Sequence, residues 1–261
     1  MTGDFVDPYL LPGADVLRNK LGVRDRTTLD RLEYRLTWAR RQQLENAPIR
    51  GNFDLPHLQA IHKHLFQDLF DWAGQLRTVD ITKGSSVFHP ASLMHEAARH
   101  TFGWLQGSHL LAGPRVDDDT FVTEAAELLG YLNYMHPFRE GNGRTQRAFM
   151  DQVAARSGRV LSWRNVSKDD NTRASIDAFD TATSAPFEHV MAKIILPARD
   201  GLSLLDDNLY QSHPATAVSP GRLHIGWAQS PMFDADRCGA PTTKGSPCLR
   251  RGACPFHGGR R

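Results

Sequence analysis

Apolar residues recur every three or four positions along most of the first 197 residues, which is the spacing of helices that bury one face. The first stripe consists of Leu29, Leu32, Leu36 and Leu44, and it stops at Pro48. Further stripes predict helices over about 54–70, 91–106, 119–135, 143–158, 168–183 and 187–196. The pattern therefore predicts a mostly α-helical chain, with Asp119 or Thr120 capping the fourth helix.

One segment departs from helical spacing. Leu76, Val79 and Ile81 suit a strand, and residues 83–86, which read KGSS, have the composition of a turn. We therefore expect a short β-hairpin over 76–88. An isolated two-stranded hairpin is marginally stable, so this one must pack against the helices.

Composition indicates a folded protein with a distinct end. The chain has 261 residues, of which 40% are hydrophobic and 23% charged, which excludes a wholly disordered or collagen-like chain. No apolar run reaches the roughly 18 residues that span a bilayer, and the N-terminus does not resemble a signal peptide. We expect a helical domain over 1–198 with its core at 51–197, an irregular linker over 199–236, and a separate tail over 237–261.

The tail differs from the rest in charge and in cysteine content. It holds six basic residues and no acidic ones, so the other 236 residues carry a net charge of −4. All three cysteines lie in the tail, so they cannot crosslink the helical domain, and a reducing cytoplasm is the simplest location.

The candidate chemistry lies in twelve residues between the fourth and fifth predicted helices, which read HPFREGNGRTQR over positions 136–147. His136 is the one side chain among them that exchanges a proton near neutral pH without special tuning. Glu140 offers a hard oxygen ligand that suits Mg²⁺. Pro137 ends the preceding helix, and we expect Phe138 to anchor the loop in the core.

The second half of this segment suits an anion. Gly141 and Gly143 let backbone N–H groups approach closely, and Asn142 adds amide donors. The helix that follows points its positive end at the same place. Arg144 and Arg147 lie three residues apart, so they share a helix face and can bind two phosphate groups. Together these groups indicate a site for a polyphosphate nucleotide and an attacking hydroxyl.

The segment resembles the signature of the Fic family, HPFx(D/E)GNGRxxR, at all nine specified positions. Residues 51–77 look like the helix that leads to the family's flap, and the 76–88 hairpin stands where the flap is expected. The resemblance covers about residues 15–197. It implies a Fic fold, a helical bundle with a β-hairpin flap over the active site. It also implies an enzyme that transfers AMP from ATP to a Tyr, Ser or Thr hydroxyl of a target protein and releases pyrophosphate.

The same resemblance implies roles for the chemistry of AMP transfer. His136 would take the proton of the hydroxyl, and Glu140 would hold Mg²⁺ between the α- and β-phosphates of ATP. Asn142, with the backbone of Gly141 and Gly143, would grip the phosphates. Relatives with Lys in place of Gly143 are associated with phosphate transfer, so this glycine favours AMP transfer.

Four further residues would complete the nucleotide site by resemblance. Arg144 would contact the β-phosphate and Arg147 the γ-phosphate. Lys83 and Gly84, in the hairpin turn, would border the nucleotide while the hairpin holds the backbone of the target.

Many Fic proteins resemble one another in an inhibitory helix with the motif (S/T)xxxE(G/N), whose Glu pairs with the second signature Arg. In this sequence Glu45-Asn46 has the right ending, but Arg41 stands at the Ser/Thr position. Other pairs with the right spacing lack the final Gly or Asn. We therefore expect a toxin-type member whose inhibitory Glu comes from a separate small antitoxin.

Two further groups of residues raise the question of metal binding. His57, His62 and His64 are spaced by five and two, so they do not share a helix face, and we expect packed or surface residues. The tail is different, since four thiolate and imidazole ligands suit tetrahedral Zn²⁺. These four are Cys238, Cys248, Cys254 and His257.

The sequence leaves several interpretations open. The tail is a zinc knuckle or carries free cysteines, and its basic surface suits nucleic acid or an acidic protein. By resemblance to toxin-type relatives, a DNA topoisomerase is a candidate target. The alternatives to AMP transfer are another Fic-type reaction, phosphorylation or removal of AMP, and a non-catalytic nucleic-acid or protein adaptor that works through the tail.

Overall fold

Seven α-helices make up most of the computed structural model, which describes residues 7–84 and 86–197. The described helices are α1 (Arg26–Asn46), α2 (Leu55–Phe66), α3 (Met94–Gly107), α4 (Asp118–Met135), α5 (Asn142–Arg156), α6 (Lys168–Thr181) and α7 (Ala185–Ile194). The predicted mostly helical fold is confirmed. Of these described helices, none is both long enough and apolar enough to cross a membrane.

Two antiparallel strand pairs accompany the described helices. Strands β1 (Thr82–Lys83) and β2 (Ser86–Val87) form the hairpin, and β3 (Arg159–Leu161) pairs with β4 (Ile195–Pro197). The second pair was not predicted. Its strands have three residues each, too few to show an alternating pattern, and the residues of β4 were predicted as the end of α7.

Helix α4 lies at the centre of the described bundle, in contact with α3, α5, α6 and α7. Its side chains at Phe121, Ala125, Leu128 and Leu132 are fully buried because they recur at helical spacing along its length. Helix α2 packs on α5, and α1 packs on α2. The loop between α4 and α5 is therefore enclosed by helices on several sides.

Side-chain caps explain where the helices begin. Asp25 accepts a hydrogen bond from the Thr28 N–H at 2.7 Å at the start of α1. Asp117 accepts one from the Thr120 N–H at 2.8 Å at the start of α4. The predicted cap of this helix, Asp119 or Thr120, is therefore wrong by two or three residues, because three acidic residues follow one another there.

The hairpin is shorter than predicted. Only Thr82 pairs with Val87 and Lys83 with Ser86, so the strand expected to begin near residue 76 is wrong. Residues 76–81 instead form an irregular stem. The N–H of Arg77 donates to the Pro137 carbonyl at 2.9 Å, outside the hairpin, so it cannot join a strand ladder.

The remaining differences are at helix ends. The third predicted helix begins with a single 3₁₀ turn, Ala91–Leu93, before α3.

The predicted linker and the Cys238, Cys248, Cys254 and His257 tail lie outside the described residues.

Candidate active site

The loop between α4 and α5 begins with a left-handed residue. His136 has φ 43° and ψ 61° and caps the C-terminus of α4, donating its N–H to the Leu132 carbonyl at 3.1 Å. This conformation is uncommon for residues other than glycine, and it persists only where surrounding contacts hold it. Pro137 follows directly and prevents the helix from continuing.

The ring of His136 is held on two sides. Its Nδ1 lies 3.1 Å from the Asn133 carbonyl, which only accepts, so we assign the proton to Nδ1 and a lone pair to Nε2. The ring also stacks on Phe88, just after β2, with centroids 3.8 Å apart. Burial, with a smaller effect from the cations Arg77 and Lys83, lowers the pKa of His136 to about 3. The imidazole is therefore neutral near pH 7, with Nε2 ready to accept a proton.

Asn142 shapes the signature loop from inside. Its Oδ1 accepts from the Phe138 N–H at 2.9 Å, and its Nδ2 donates to the Phe138 carbonyl at 2.7 Å. Phe138 itself is fully buried, as predicted. These two bonds close the loop into a ring. Both contacts are with backbone groups, so the phosphate contact of Asn142 stays a prediction.

Gly141 begins α5 in a conformation that favours glycine. Its φ is +81°, and a Cβ there would lie 2.1 Å from Cζ of Phe66. The first bond within α5 runs from the Thr145 N–H to the Gly141 carbonyl. The N–H groups of the first turn, including that of Gly143, therefore have no helical partner and form an anion site at the positive end of the helix.

Glu140 lies beside this helix end, partly exposed. Its Oε1 accepts from the Gly141 N–H at 2.8 Å. Its carbonyl accepts from Nε2 of His62 at 3.0 Å, and Nδ1 of His62 accepts from the Gly74 N–H at 2.8 Å. His62 is a fully buried helix residue stacked on Phe138, which agrees with the expectation of a packed or surface residue.

The donor set at Glu140 fits Mg²⁺, since it offers one carboxylate at the start of a helix. In residues 7–84 and 86–197 no three or more His, Cys, Asp or Glu side chains are grouped so that they could hold a metal ion together. Mg²⁺ is commonly held by one or two carboxylates, with water and substrate phosphates as the other ligands. One carboxylate beside an anion site meets that requirement.

Arg144 is already engaged by two residues of α1. Its Nη2 forms an ion pair with the buried carboxylate of Glu33, and its Nη1 donates to Oγ1 of Thr37 at 3.3 Å. The guanidinium lies 4.8 Å from the ring centroid of Phe66. Burial raises the pKa of Glu33, Arg144 opposes that shift, and the charge of Glu140 adds to it. Sequence reasoning missed Glu33 and Thr37, although both interrupt the apolar stripe of α1 at helical spacing.

Arg147 has a different environment. Among the described residues no carboxylate lies within ion-pair distance of its guanidinium. Burial lowers the pKa of Arg147, and so do the like charges of Arg41 and Arg144. Arg147 is therefore available to an anion.

Arg41 is held beside Arg147 by two carboxylates. It pairs with Asp151, which also accepts from Nε1 of Trp163 at 2.7 Å, and with Glu45 at 3.3 Å. Glu45, which with Asn46 matches the ending of the inhibitory motif, thus contacts Arg41 in its own helix. Burial raises the pKa of Asp151 to about 6.

Lys83 is the last residue of β1, Gly84 follows it in the turn of the hairpin, and both are exposed. Gly84 has φ +59°, and a Cβ there would meet nothing within 4 Å. The effect of Lys83 on the pKa of His136 places its charge near the ring. The structure thus brings His136, Glu140, Gly141, Gly143, Arg144 and Arg147 to one loop and helix end, with the hairpin beside them.

Known proteins share this arrangement. The model of the Fic/DOC family matches residues 52–154. Protein adenylyltransferase VbhT of Bartonella schoenbuchensis is 40% identical over 174 residues, 66% of this chain and 36% of VbhT. Probable protein adenylyltransferase Fic of Escherichia coli is 39% identical over 168 residues, 64% of this chain and 82% of that protein. The chain thus spans about a third of VbhT but most of the E. coli protein.

Solved structures agree with the sequence relatives. BepC of Bartonella tribocorum, with bound AMPPNP, has a TM-score of 0.69 at 25% identity, covering 73% of this chain and 97% of that one. A Bartonella quintana Fic domain with bound ADP has a TM-score of 0.67 at 26% identity, covering 73% and 95%. Adenine nucleotides are therefore ligands of two structural relatives.

Proposed function

Because this chain belongs to the Fic/DOC family, we propose that it is a protein adenylyltransferase, a nucleotidyltransferase that moves AMP from ATP to a hydroxyl side chain of a target protein. The observation that carries the proposal is the pairing of a neutral His136, with its Nε2 lone pair, and the anion site at the start of α5. The names of the curated relatives and the nucleotides in the solved relatives support the same activity.

The reaction follows from that geometry. The target's Tyr, Ser or Thr oxygen attacks the α-phosphorus of ATP, and Nε2 of His136 takes its proton. A bond forms between the oxygen and the α-phosphorus, the bond from the α-phosphorus to pyrophosphate breaks, and the pair of electrons leaves with pyrophosphate. Most of the acceleration comes from holding these groups in line and from stabilising charge.

The phosphates bind at the start of α5. The N–H of Gly143 contacts them, and the N–H of Gly141 exchanges its bond to Glu140 for one to phosphate. Arg144 binds the β-phosphate, and Arg147, which has no described carboxylate partner, takes the γ-phosphate. Glu140 holds Mg²⁺, which when bound neutralises phosphate charge. Lys83 and Gly84 border the nucleotide from the hairpin turn.

AMP transfer is tested by incubating the protein with Mg²⁺, a bacterial lysate, and ATP labelled at the α- or the γ-phosphate. We expect a labelled protein band from the α-phosphate only, absent with His136→Ala and present with the control His95→Ala, which changes an exposed histidine of α3. Label from the γ-phosphate would indicate phosphorylation, and loss of label from a premodified target would indicate removal of AMP. If no lysate protein is labelled and His136→Ala behaves like the unchanged protein, the result favours the non-catalytic adaptor.

The role of Glu140 is tested by Mg²⁺ dependence. We expect EDTA to abolish labelling, and Glu140→Gln to require a higher Mg²⁺ concentration because one carboxylate ligand is lost. Labelling by Glu140→Gln at the Mg²⁺ concentration that suffices for the unchanged protein would exclude Glu140 as the ligand.

Regulation from outside the chain fits the environment of Arg147. A toxin-type protein would be inhibited by a small antitoxin whose Glu pairs with Arg147, since Glu45 is bound to Arg41 instead. Glu45→Gly should therefore leave AMP transfer unchanged, and a clear rise in labelling would contradict external inhibition.

The finer partners stay proposals. A DNA topoisomerase is the candidate target, and the cytoplasm is the location expected from the cysteine content. Zinc binding and nucleic-acid binding are proposed for the Cys238, Cys248, Cys254 and His257 tail, and are tested by zinc content and by DNA binding after deletion of 237–261.

A further inference from the structure

Arg77 is a fully buried cation whose hydrogen-bond partners in the described structure are backbone carbonyls, with the half-exposed carboxylate of Asp80 farther away, 3.9 Å from Nη1. Nε donates to the carbonyl of His136 at 2.8 Å and Nη1 to that of Val79 at 2.8 Å. Nη2 donates to His89 and, at 3.4 Å, to Met135. Burial lowers the pKa of Arg77 to about 10, so it remains charged at neutral pH.

These carbonyls belong to two parts of the site. Two of them, the carbonyls of Met135 and the left-handed His136, lie at the C-terminal end of α4. The other two lie on either side of the hairpin, one before β1 and one after β2. The N–H of Arg77 adds a bond to Pro137, so one residue joins the loop of the base to the stem of the hairpin.

The bond to the His136 carbonyl acts at a strained point. A histidine with φ 43° keeps that conformation only if its neighbours fix it from several directions. Its own ring and N–H are fixed within α4, through Asn133 and Leu132. Arg77 holds the carbonyl of His136, and the orientation of that carbonyl sets the direction of the chain into the signature loop.

We propose that Arg77 is a positioning residue that holds the base His136 at a fixed distance from the hairpin that presents the target hydroxyl. The proposal rests on AMP transfer as the activity. Arg77 touches neither ATP nor the hydroxyl in this scheme. Its loss should therefore lower kcat and leave the KM for ATP unchanged, because the groups assigned to the phosphates do not contact it.

The positive charge of Arg77 adds a second, separable effect. The charged groups that act on the His136 ring are Arg77 and Lys83, while its other neighbours are the ring of Phe88 and the Asn133 carbonyl. A neutral residue at 77 should raise the pKa of His136, and a lysine should not. The acid limb of the pH–rate profile should therefore move to higher pH with a neutral residue at 77 and stay in place with a lysine.

The chain offers a matched control in Arg159. It is also buried, it also donates to two carbonyls, those of Ser157 and Val116, and it pairs with Asp118 at the start of α4. That is the opposite end of α4 from His136. Substituting Arg159 removes a comparable set of bonds without touching the site.

The experiment compares Arg77→Met and Arg77→Lys with Arg159→Met and Arg159→Lys in AMP-transfer assays, after thermal melts confirm folding. A displacement of about 1 Å in a reacting group can cost about 100-fold in rate, so we expect Arg77→Met to lower kcat by about that factor. Arg77→Lys should lower kcat less and keep the acid limb in place. If Arg77→Met does not fold, the lysine variant decides.

A measurement independent of activity separates this proposal from the proposed function. The ¹⁵N resonances of the His136 ring, assigned by their loss in His136→Asn, report its tautomer and pKa. We expect Arg77→Met, and neither Arg159 variant, to raise that pKa and weaken the Nδ1–H form. Failure of the unchanged protein to transfer AMP would refute the activity alone, because the ring resonances still test Arg77. Arg77 variants with normal kcat and an unchanged His136 ring would refute the positioning role.

Discussion

Arg144 is oriented before nucleotide binds, because Glu33 and Thr37 hold its guanidinium over Phe66. A free arginine side chain loses up to about 2 kcal/mol of rotamer entropy when it is fixed, and 1.4 kcal/mol is a tenfold change in affinity. We therefore expect Glu33→Ala to raise the KM for ATP about tenfold, measured by AMP transfer over a range of ATP concentrations.

The control for Glu33→Ala is Asp68→Ala. Asp68 pairs with Arg40 at 2.7 Å, also between α1 and the region of α2, and has no contact with the signature. It should leave the KM for ATP unchanged. A lower KM in Glu33→Ala would show that Glu33 competes with phosphate for Arg144 instead of orienting it.

Gly141 is constrained by both its backbone angle and its surroundings. Gly141→Ala places a methyl group against the Phe66 ring at φ +81°, whereas Gly84→Ala meets open space at φ +59°. We expect the Gly84 change to cost about 1–2 kcal/mol of unfolding free energy, and the Gly141 change about 1–3 kcal/mol more, with loss of AMP transfer. Urea denaturation of both variants separates backbone strain from the clash, and equal costs would contradict the predicted clash.

At this scale the sequence predicted the signature residues well, since their types and spacing carry the chemistry. It could not predict Glu33 or Arg77, which act through contacts made by folding. Glu33 lies 111 positions from Arg144, and Arg77 lies 59 from His136. Single-chain patterns do not report contacts at such separations.

Among the elements, the helices were predictable because each buries a long apolar stripe, but their ends were not. The start of α4 shows why, since Asp117, Asp118 and Asp119 are all good caps by type. Only the structure shows that Asp117 makes the bond. Likewise the stem of the hairpin was predicted as a strand because Leu76, Val79 and Ile81 suit one by residue type, although its buried Arg77 fixes it to another loop.

The cap of α4 provides a test at the element scale. Asp117→Ala should lower the unfolding free energy measurably, because it removes the acceptor for the Thr120 N–H and hydroxyl. Asp119→Ala should have little effect, and AMP transfer should survive both changes because the cap lies at the far end of α4 from His136. An equal loss in the two variants, measured in urea, would contradict the assignment.

For the whole molecule, buried imidazoles make stability depend on pH. Burial lowers the pKa of His136 to about 3 and that of His62 to about 4, from an ordinary value near 6.5. As pH falls below 6.5, these imidazoles therefore bind protons in the unfolded chain but stay neutral in the folded chain. The free energy of unfolding falls as a result. Asp151, with its pKa raised to about 6, acts in the opposite direction, since its contribution is present at low pH and lost as pH rises through 6.

We expect His62→Gln to flatten the loss of stability between pH 6.5 and 4. One such group changes the unfolding free energy by up to about 1.4 kcal/mol per pH unit, so urea denaturation across this range resolves it. The variant is less stable at pH 7, because the contacts with Gly74 and Glu140 weaken. A slope against pH equal to that of the unchanged protein would contradict the assignment of a neutral His62.

The β3–β4 pair marks one end of the described bundle. Pro197 pairs with Arg159, which is bound to Asp118 at the first residue of α4, while His136 follows its last. A helix of 18 residues is about 27 Å long, so the β3–β4 pair is tied to the end of α4 that lies farthest from His136. In evolutionary terms this end of the described bundle is permissive, since changes there leave the signature loop untouched. The matched region makes up 36% of one relative and 82% of another, so the same unit occurs in proteins of different length.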